Sequence, residues 1–459
     1  MSFPRTGQAP TAAAVKPLVW ALALAFCGAA AQAQSLTEVV DAARGYDATF
    51  LGARSNADAV RYRYDQALAL HRPTINAQVQ GQRNDTRTPY AVAEGGVGSD
   101  KSDLGNAGIT ASQQIFNRAN DLSIDEAQKQ VDIANSQVVQ AEQDLIVRVA
   151  QAYFNVLAAA DALQTEQANS KAIAEQLASA KRNFEVGNAT ITDTREAEAR
   201  FALARSQEIS GENDLQVAHV TLDQLVGRNA VVPHPLALPA TLPPVTPSQA
   251  SDWVSLTETE NPALKQAQLT RDIAELETGR AKAGYLPTLA ATANIGKNYE
   301  HDRFSVPQGS FASGGWGSSS NVTVTLTVPL YAGGAIQGRL HETVALQEKA
   351  RTDAEGARNT ATLGTRQSFL NAQSLNAQVK ALEAGESSSK LALDATVLGY
   401  KVGVRVNIDV LNAQTQLYTT QRDLAAARYN YLVSTLKLRQ SAGTLTTNDL
   451  LAVNALLVK

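Results

Sequence analysis

Cysteine, histidine and aromatic residues are scarce in this 459-residue chain, and each scarcity removes a class of function. Cys27 is the one cysteine, and it lies in a segment expected to be removed, so disulfides and thiol chemistry are excluded for the rest. The five histidines, His71, His219, His234, His301 and His341, are scattered with no metal-ligand spacing. No phosphate loop, nucleophile elbow or dinucleotide fingerprint occurs, so neither an enzyme nor a cofactor is expected. Beyond residue 34 there is no run of about 20 consecutive apolar residues, which excludes a conventional membrane-spanning helix. If the protein crosses a membrane, it must do so as a barrel, the other structure that satisfies its own backbone groups in lipid.

What is present begins with residues 1–33, which read as a signal peptide. Arg5 and Lys16 supply the positive end, residues 18–26 the short apolar core, and Ala31-Gln32-Ala33 the cleavage site. Leu24-Ala25-Phe26-Cys27 loosely resembles a lipidation motif, but the bulky Phe26 argues against it. Removal of two basic and no acidic residues takes the formal charge from −4 to −6, which argues against nucleic acid as a partner. The apolar 44% is mostly Ala, Leu and Val, a composition that suits long packed helices.

The remainder states one pattern twice. Pro73-Thr74 returns as Pro287-Thr288, Phe116 as Tyr331, Phe154 as Phe369, Gly187 as Gly403 and Gly227 as Gly443, at offsets of 214 to 216 residues. This spacing implies a duplicated and fused unit, with repeats over 34–227 and 250–443. Between them, 228–249 holds Pro233, Pro235, Pro239, Pro243, Pro244 and Pro247, a semi-rigid strap along the helices. A tail over 444–459 follows, with an amphipathic helix from Asn448.

Each repeat reads as helix, strand, polar loop, strand and a very long helical hairpin. The first helix spans 35–71. Period-two alternation then predicts strands at 74–88 and 104–117, and at 288–304 and 320–331, around loops at 85–103 and 305–320. The sharpest case sets Val322, Val324, Leu326 and Val328 against Thr323, Thr325 and Thr327. That alternation fits an outer-membrane barrel and also a half-buried soluble sheet. The export signal and the setting between enormous helices favour the barrel. No proline interrupts 118–184, which at 1.5 Å per residue gives about 100 Å of rod. Leu411, Tyr418, Ala425 and Leu432 form one seven-residue stripe, and Leu417, Leu424, Tyr431 and Leu438 another. Two stripes imply neighbours on two sides. The fold class is therefore mainly α with a membrane β-barrel. Four strands cannot close a barrel, so closure requires several copies; a dimer would give eight strands and a trimer twelve, and only the larger barrel would leave a water-filled lumen.

Particular segments carry a family resemblance. Gln114-Ile115-Phe116, Ala152-Tyr153-Phe154-Asn155-Val156-Leu157 and Phe184-Glu185-Val186-Gly187 with Ile191-Thr192-Asp193 resemble the TolC outer-membrane channel family. So do Tyr400-Lys401-Val402-Gly403 with Asp409-Val410-Leu411, Ala427-Arg428-Tyr429-Asn430-Tyr431-Leu432 and Gly443-Thr444-Leu445. The resemblance covers essentially the whole chain after the signal. It implies a homotrimer with a twelve-strand barrel in outer-membrane lipid and a twelve-helix tunnel across the periplasm. The tunnel would meet a periplasmic adaptor and an inner-membrane pump of ABC, RND or MFS type, with hairpin tips near 184–194 and 399–409 closing it like an iris. Gly187 and Gly403 would turn the tips. Tyr400 and Arg405 would latch Thr192 and Asp193, and Asp409 would line the constriction. Family relatives often carry a second Asp one turn on, where this chain has Asn412, so weaker cation selectivity is expected. The competing functions are a structural periplasmic coiled coil and a general diffusion porin. A porin needs more strands in one chain.

Overall fold

The computed structural model describes residues 34–90, 96–237, 242–306 and 309–458, so the expected signal peptide lies outside the described residues. The first helices among the described residues are α1 (Leu36–Arg44) and α2 (Ala48–Leu68). The single helix expected over 35–71 is thus broken at Gly45–Asp47. Asp47 caps the new helix by accepting the Phe50 N–H (2.8 Å), and its carboxylate also pairs with Arg148 (2.8 and 3.1 Å). The Arg148 hydrogen bonds hold the Asp47 carboxyl below its ordinary value.

Strands β1 (Thr74–Tyr90) and β2 (Gly96–Phe116) precede the first long hairpin, α3 (Arg118–Glu185) and α4 (Ile191–Val226). After the strap come α5 (Ala250–Glu260), α6 (Pro262–Ala283), β3 (Thr288–Val306) and β4 (Gly309–Thr327). The second hairpin, α7 (Ala335–Lys401) and α8 (Asn407–Ala442), and a short α9 (Thr447–Asn454) complete the chain. The strands run beyond their expected limits into both loop regions. Arg83–Asp103 (3.3 Å) and Asp85–Lys101 (3.7 Å) pair across the β1–β2 ladder where sequence alone suggests loop. Glycine and serine have low strand propensity, but the antiparallel backbone ladder needs no side chain. At its other end β4 stops at Thr327, before Pro329 and short of the expected 331.

Gly227 and Gly443 close α4 and α8 in left-handed conformation, with φ of 69° and 79°. A Cβ on Gly443 would lie 2.5 Å from the Glu260 carbonyl, and one on Gly227 would strike the Tyr46 ring. Each helix therefore ends against the start of a shorter one, α8 against α6 and α4 against α2. In this way each copy assembles a second rod from two pieces. The α3 and α7 rods stay continuous, with α2 and α6 packed on α3 and α6 also on α7. Helix α8 packs on both α7 and α3. Its Leu417, Leu424, Tyr431 and Leu438 stripe is fully buried, and Leu411 and Leu432 of the other stripe are buried too.

The main core sits at the waist of the rods. There α3 (Leu145 to Leu157), α1, α8, α9 and the strap residues Val231 and Leu236 form one apolar cluster. A window of α3 is long and apolar enough to cross a membrane, yet 56% of it is buried inside the protein. The strap is pinned in place. The Tyr153 hydroxyl donates to the Gln34 carbonyl (2.9 Å) and accepts the His234 N–H (2.7 Å), and Tyr431 donates to the Pro243 carbonyl (2.6 Å). Leu236 bridges to Leu457.

Candidate functional site

Two regions carry the functional geometry, the strand sheet and the hairpin tips. The four strands form one antiparallel sheet in the order β1-β2-β3-β4, so β1 and β4 are its edges. The cross-strand register fixes what each face shows. Ile75, Ala111, Ala293 and Val322 share a row, as do Ala77, Ile109, Ile295 and Ser320. On the opposite face Asn76, Thr110, Asn294 and Asn321 align, as do Thr74, Ser112, Thr292 and Thr323. Val79 is 85% exposed and Val322 79% exposed, so the apolar face is not covered by the chain itself.

The apolar face is bounded. Leu289 pairs with Leu326 and with Phe116 near its lower end, and Tyr299 pairs with Trp316 at the upper end with rings 5.1 Å apart. Ten residue steps separate Leu289 from Tyr299. At about 3.4 Å per step and about 40° of tilt they span about 26 Å, matching the apolar band of an outer-membrane barrel with its aromatic girdles.

At the tips the two hairpins share one backbone design. In the first, the Gly187 N–H bonds the Phe184 carbonyl (3.0 Å) and the Asn188 N–H reaches back to Asn183 (2.7 Å). In the second, Gly403 bonds Tyr400 (3.1 Å) and Val404 bonds Gly399 (3.0 Å). Both are Schellman closures, which need a left-handed residue, and Gly187 and Gly403 have φ of 79° and 81°. Val186, Val402, Val404 and Val406 around them are exposed.

The side chains differ between the tips. Asp193 is engaged locally: its carboxylate accepts the Thr190 N–H (2.9 Å) and hydroxyl (2.8 Å), closing a capping box. Thr192 is exposed and makes no side-chain hydrogen bond among the described residues. Tyr400 accepts a hydrogen bond from the Asn183 amide (3.2 Å), and Arg405, in the tip turn, lies 3.7 Å from Asp409 in the first turn of α8. Asp409 also accepts the Val406 N–H (3.4 Å). Within one chain, therefore, Tyr400 and Arg405 do not touch Thr192 or Asp193. Contacts that sequence reasoning missed join the hairpins instead. Arg200 donates to the Asn412 side-chain oxygen (3.0 Å), and Gln176 donates to Asn407. Among the described residues no acidic or histidine cluster could hold a metal.

The strand sheet thus presents a lipid-type wall continuous with rods about 100 Å long. The model of the outer membrane efflux protein family matches residues 39–228 and again 253–444. Outer membrane protein TolC of Vibrio cholerae serotype O1 is 32% identical over 96% of this chain and 97% of its own length. The chain belongs to the outer membrane efflux protein family. It is an outer-membrane export channel extending into the periplasm, and not an enzyme. Alkaline protease secretion protein AprF of Pseudomonas aeruginosa is 32% identical over 68% of this chain and 64% of its own. Among solved structures, the outer membrane protein VceC of Vibrio cholerae aligns with a TM-score of 0.74 at 18% identity, covering 89% of this chain and 96% of its own. That likeness supports the fold, a helical tunnel continuous with strands.

The family's matched segments, 39–228 and 253–444, overlap the stretches 34–227 and 250–443 expected as repeats. One signal pointed to the missed Asn183. Shifted by the same 216 residues, it falls on Gly399, where a Cβ would meet the Arg405 side chain at 2.8 Å. The two tips therefore carry unlike side chains at equivalent places.

Proposed function

We propose that three copies close into a twelve-strand barrel continuous with a twelve-helix tunnel. The duct passes proteins or small molecules from an inner-membrane pump, of ABC, RND or MFS type, through a periplasmic adaptor to the exterior. The observation that supports this reading is a sheet with a lipid-type outer face and two unpaired edges. Four strands leave backbone groups of β1 and β4 unsatisfied, which lipid does not tolerate, and twelve strands enclose a water-filled lumen. Cyclic closure pairs β1 of one copy with β4 of the next.

The tips gate the duct. Tyr400 and Arg405 of one copy latch Thr192 and Asp193 of its neighbour, because these groups do not meet within a chain. Hydrogen bonds of about 0.5–3 kcal/mol each hold a closed state that a docking partner still breaks. Asp409 lines the constriction, and Asn412, held by Arg200, leaves it less acidic than two carboxylates would. The closure test uses cysteine pairs on β1 and β4, since the chain has no cysteine beyond Cys27. Oxidation is expected to yield a three-copy band. A ladder ending at two copies, or no crosslink from any pair, overturns it.

A further inference from the structure

The described strands carry five Lys or Arg side chains, Arg83, Arg87, Lys101, Lys297 and Arg303. The register places all five on the face that bears the apolar band. Two carboxylates share that face, Asp103 beside Arg83 and Asp85 beside Lys101. The other three strand acids, Asp100, Glu300 and Asp302, lie on the opposite, Thr- and Asn-rich face. Five cations against two carboxylates outward, and three carboxylates with no Lys or Arg inward, is a sorting by face. Charges serving only to solubilise exposed hairpins would need no such sorting.

The cations also share a level. Lys297 sits one outward row below the Tyr299–Trp316 girdle, where its stem reaches past the band to the interface. Arg83 stands in the first row above the girdle, Lys101 and Arg303 in the second, and Arg87 in the third. The first two rows lie within about 10 Å of the girdle at the strand rise and tilt used above. Arg87, Lys297 and Arg303 have no carboxylate partner among the described residues. Among the described residues Arg303 donates to His301 (3.0 Å). The strands join the rods at their other end, so this collar faces the outer leaflet.

We propose that the collar binds the phosphate-bearing headgroups of outer-leaflet lipid, which rests on the barrel reading above. A guanidinium matches phosphate through paired N–H groups, and the aromatic girdle beneath seats the acyl boundary. The partner is a lipid rather than free phosphate, because the cations ring the edge of an apolar wall instead of lining a pocket.

The full-length protein in mild detergent is incubated with diphosphorylated lipid A or with the same glycolipid stripped of both phosphates, and co-eluting lipid is quantified. The intact protein is expected to prefer the phosphorylated form. At about fivefold per cation near a lipid surface, the change Arg83→Gln, Arg87→Gln, Lys297→Gln and Arg303→Gln together should lower that preference at least about tenfold. Inorganic phosphate at equal phosphate concentration should not displace the lipid. Equal retention of both lipids, unchanged preference in the variant, or displacement by inorganic phosphate overturns the proposal. If the variant fails to assemble, salt decides on the intact protein. A preference that falls several-fold from low to high salt supports the collar, and one that ignores salt refutes it. Insertion into planar bilayers is read separately, so failure of the barrel itself is distinguishable.

Discussion

The waist and the tips of the hairpins are built from the same rods but held by opposite means. At the waist Tyr153 and Phe154 pack edge-on at 5.6 Å between ring centroids, Phe154 stacks on Tyr429, and all three are buried. The Tyr429 hydroxyl donates to Asp161 (2.7 Å), and burial pushes the Asp161 carboxyl above its ordinary range while that bond pulls the other way. At the tips, valines are exposed, and the nearest buried cluster is mostly alanine with Ile173 and Leu411. Polar contacts such as Asn183–Tyr400 and Arg200–Asn412 do most of the joining there. Dense burial fixes the rods at the waist, and a few polar bonds hold them at the tips. The proposed iris needs that division: rods anchored at the waist and free to part at the tips.

The comparison breaks most visibly through stability. Phe154→Ala should cost about 3–5 kcal/mol, read as a lower urea midpoint, while assembled channels keep their parental conductance. A conductance change in correctly assembled channels would mean that the waist is not a passive anchor.

Asp47→Ala is next, at about 2–3 kcal/mol from a lost helix cap and charge-assisted bonds to the partly exposed Arg148. Its sign with pH is fixed, because the folded carboxyl is held below its ordinary 3.8. The advantage of the parent over the variant is therefore present above 3.8 and disappears as the pH falls through the lower folded value. Urea titrations of both proteins across that window check it, and a gap that widens on acidification would contradict it.

At the tips, Gly187→Val and Gly403→Val should each cost about 1–2 kcal/mol, since both residues are left-handed. Because the strain falls on the tip turn, hydrogen exchange should show equal loss of protection in the last turn of α3 and of α7, with a fall in the urea midpoint no larger than that cost. Sensitivity in one copy alone would mean that the tips do not share a scaffold. The smallest expected effect is ionic. Asn412→Asp, or Arg200→Gln to a lesser degree, should shift the reversal potential toward cations by a few-fold in permeability ratio. A shift toward anions would count against a constriction lined by these residues.

Much of this architecture was legible in the chain because glycine, proline and alternation record backbone needs locally. Gly187 and Gly403 mark turns that require a left-handed residue, and Gly227 and Gly443 mark abutting helix ends. The Val/Thr alternation of 322–327 states a two-faced strand outright. The outer ends of the strands were not legible, because Gly, Ser and Asp in 96–103 and 309–320 read as loop while an antiparallel ladder accepts them. Nor was the break at Gly45–Asp47, which depends on Arg148 arriving from another helix. The inter-hairpin contacts were hidden for the same reason. Arg200 and Asn412 are 212 residues apart, and Asn183 and Tyr400 are 217 apart, so their meeting is set by how two rods align.

The division between anchored waist and breakable tips is tested most directly by single-channel recording of Tyr400→Phe combined with Arg405→Ser in planar bilayers. Loss of the phenol and guanidinium is predicted to raise conductance several-fold while leaving the urea midpoint at the parental value. Parental conductance, or a gain that comes only with a lowered midpoint, would contradict a gate held by these two side chains.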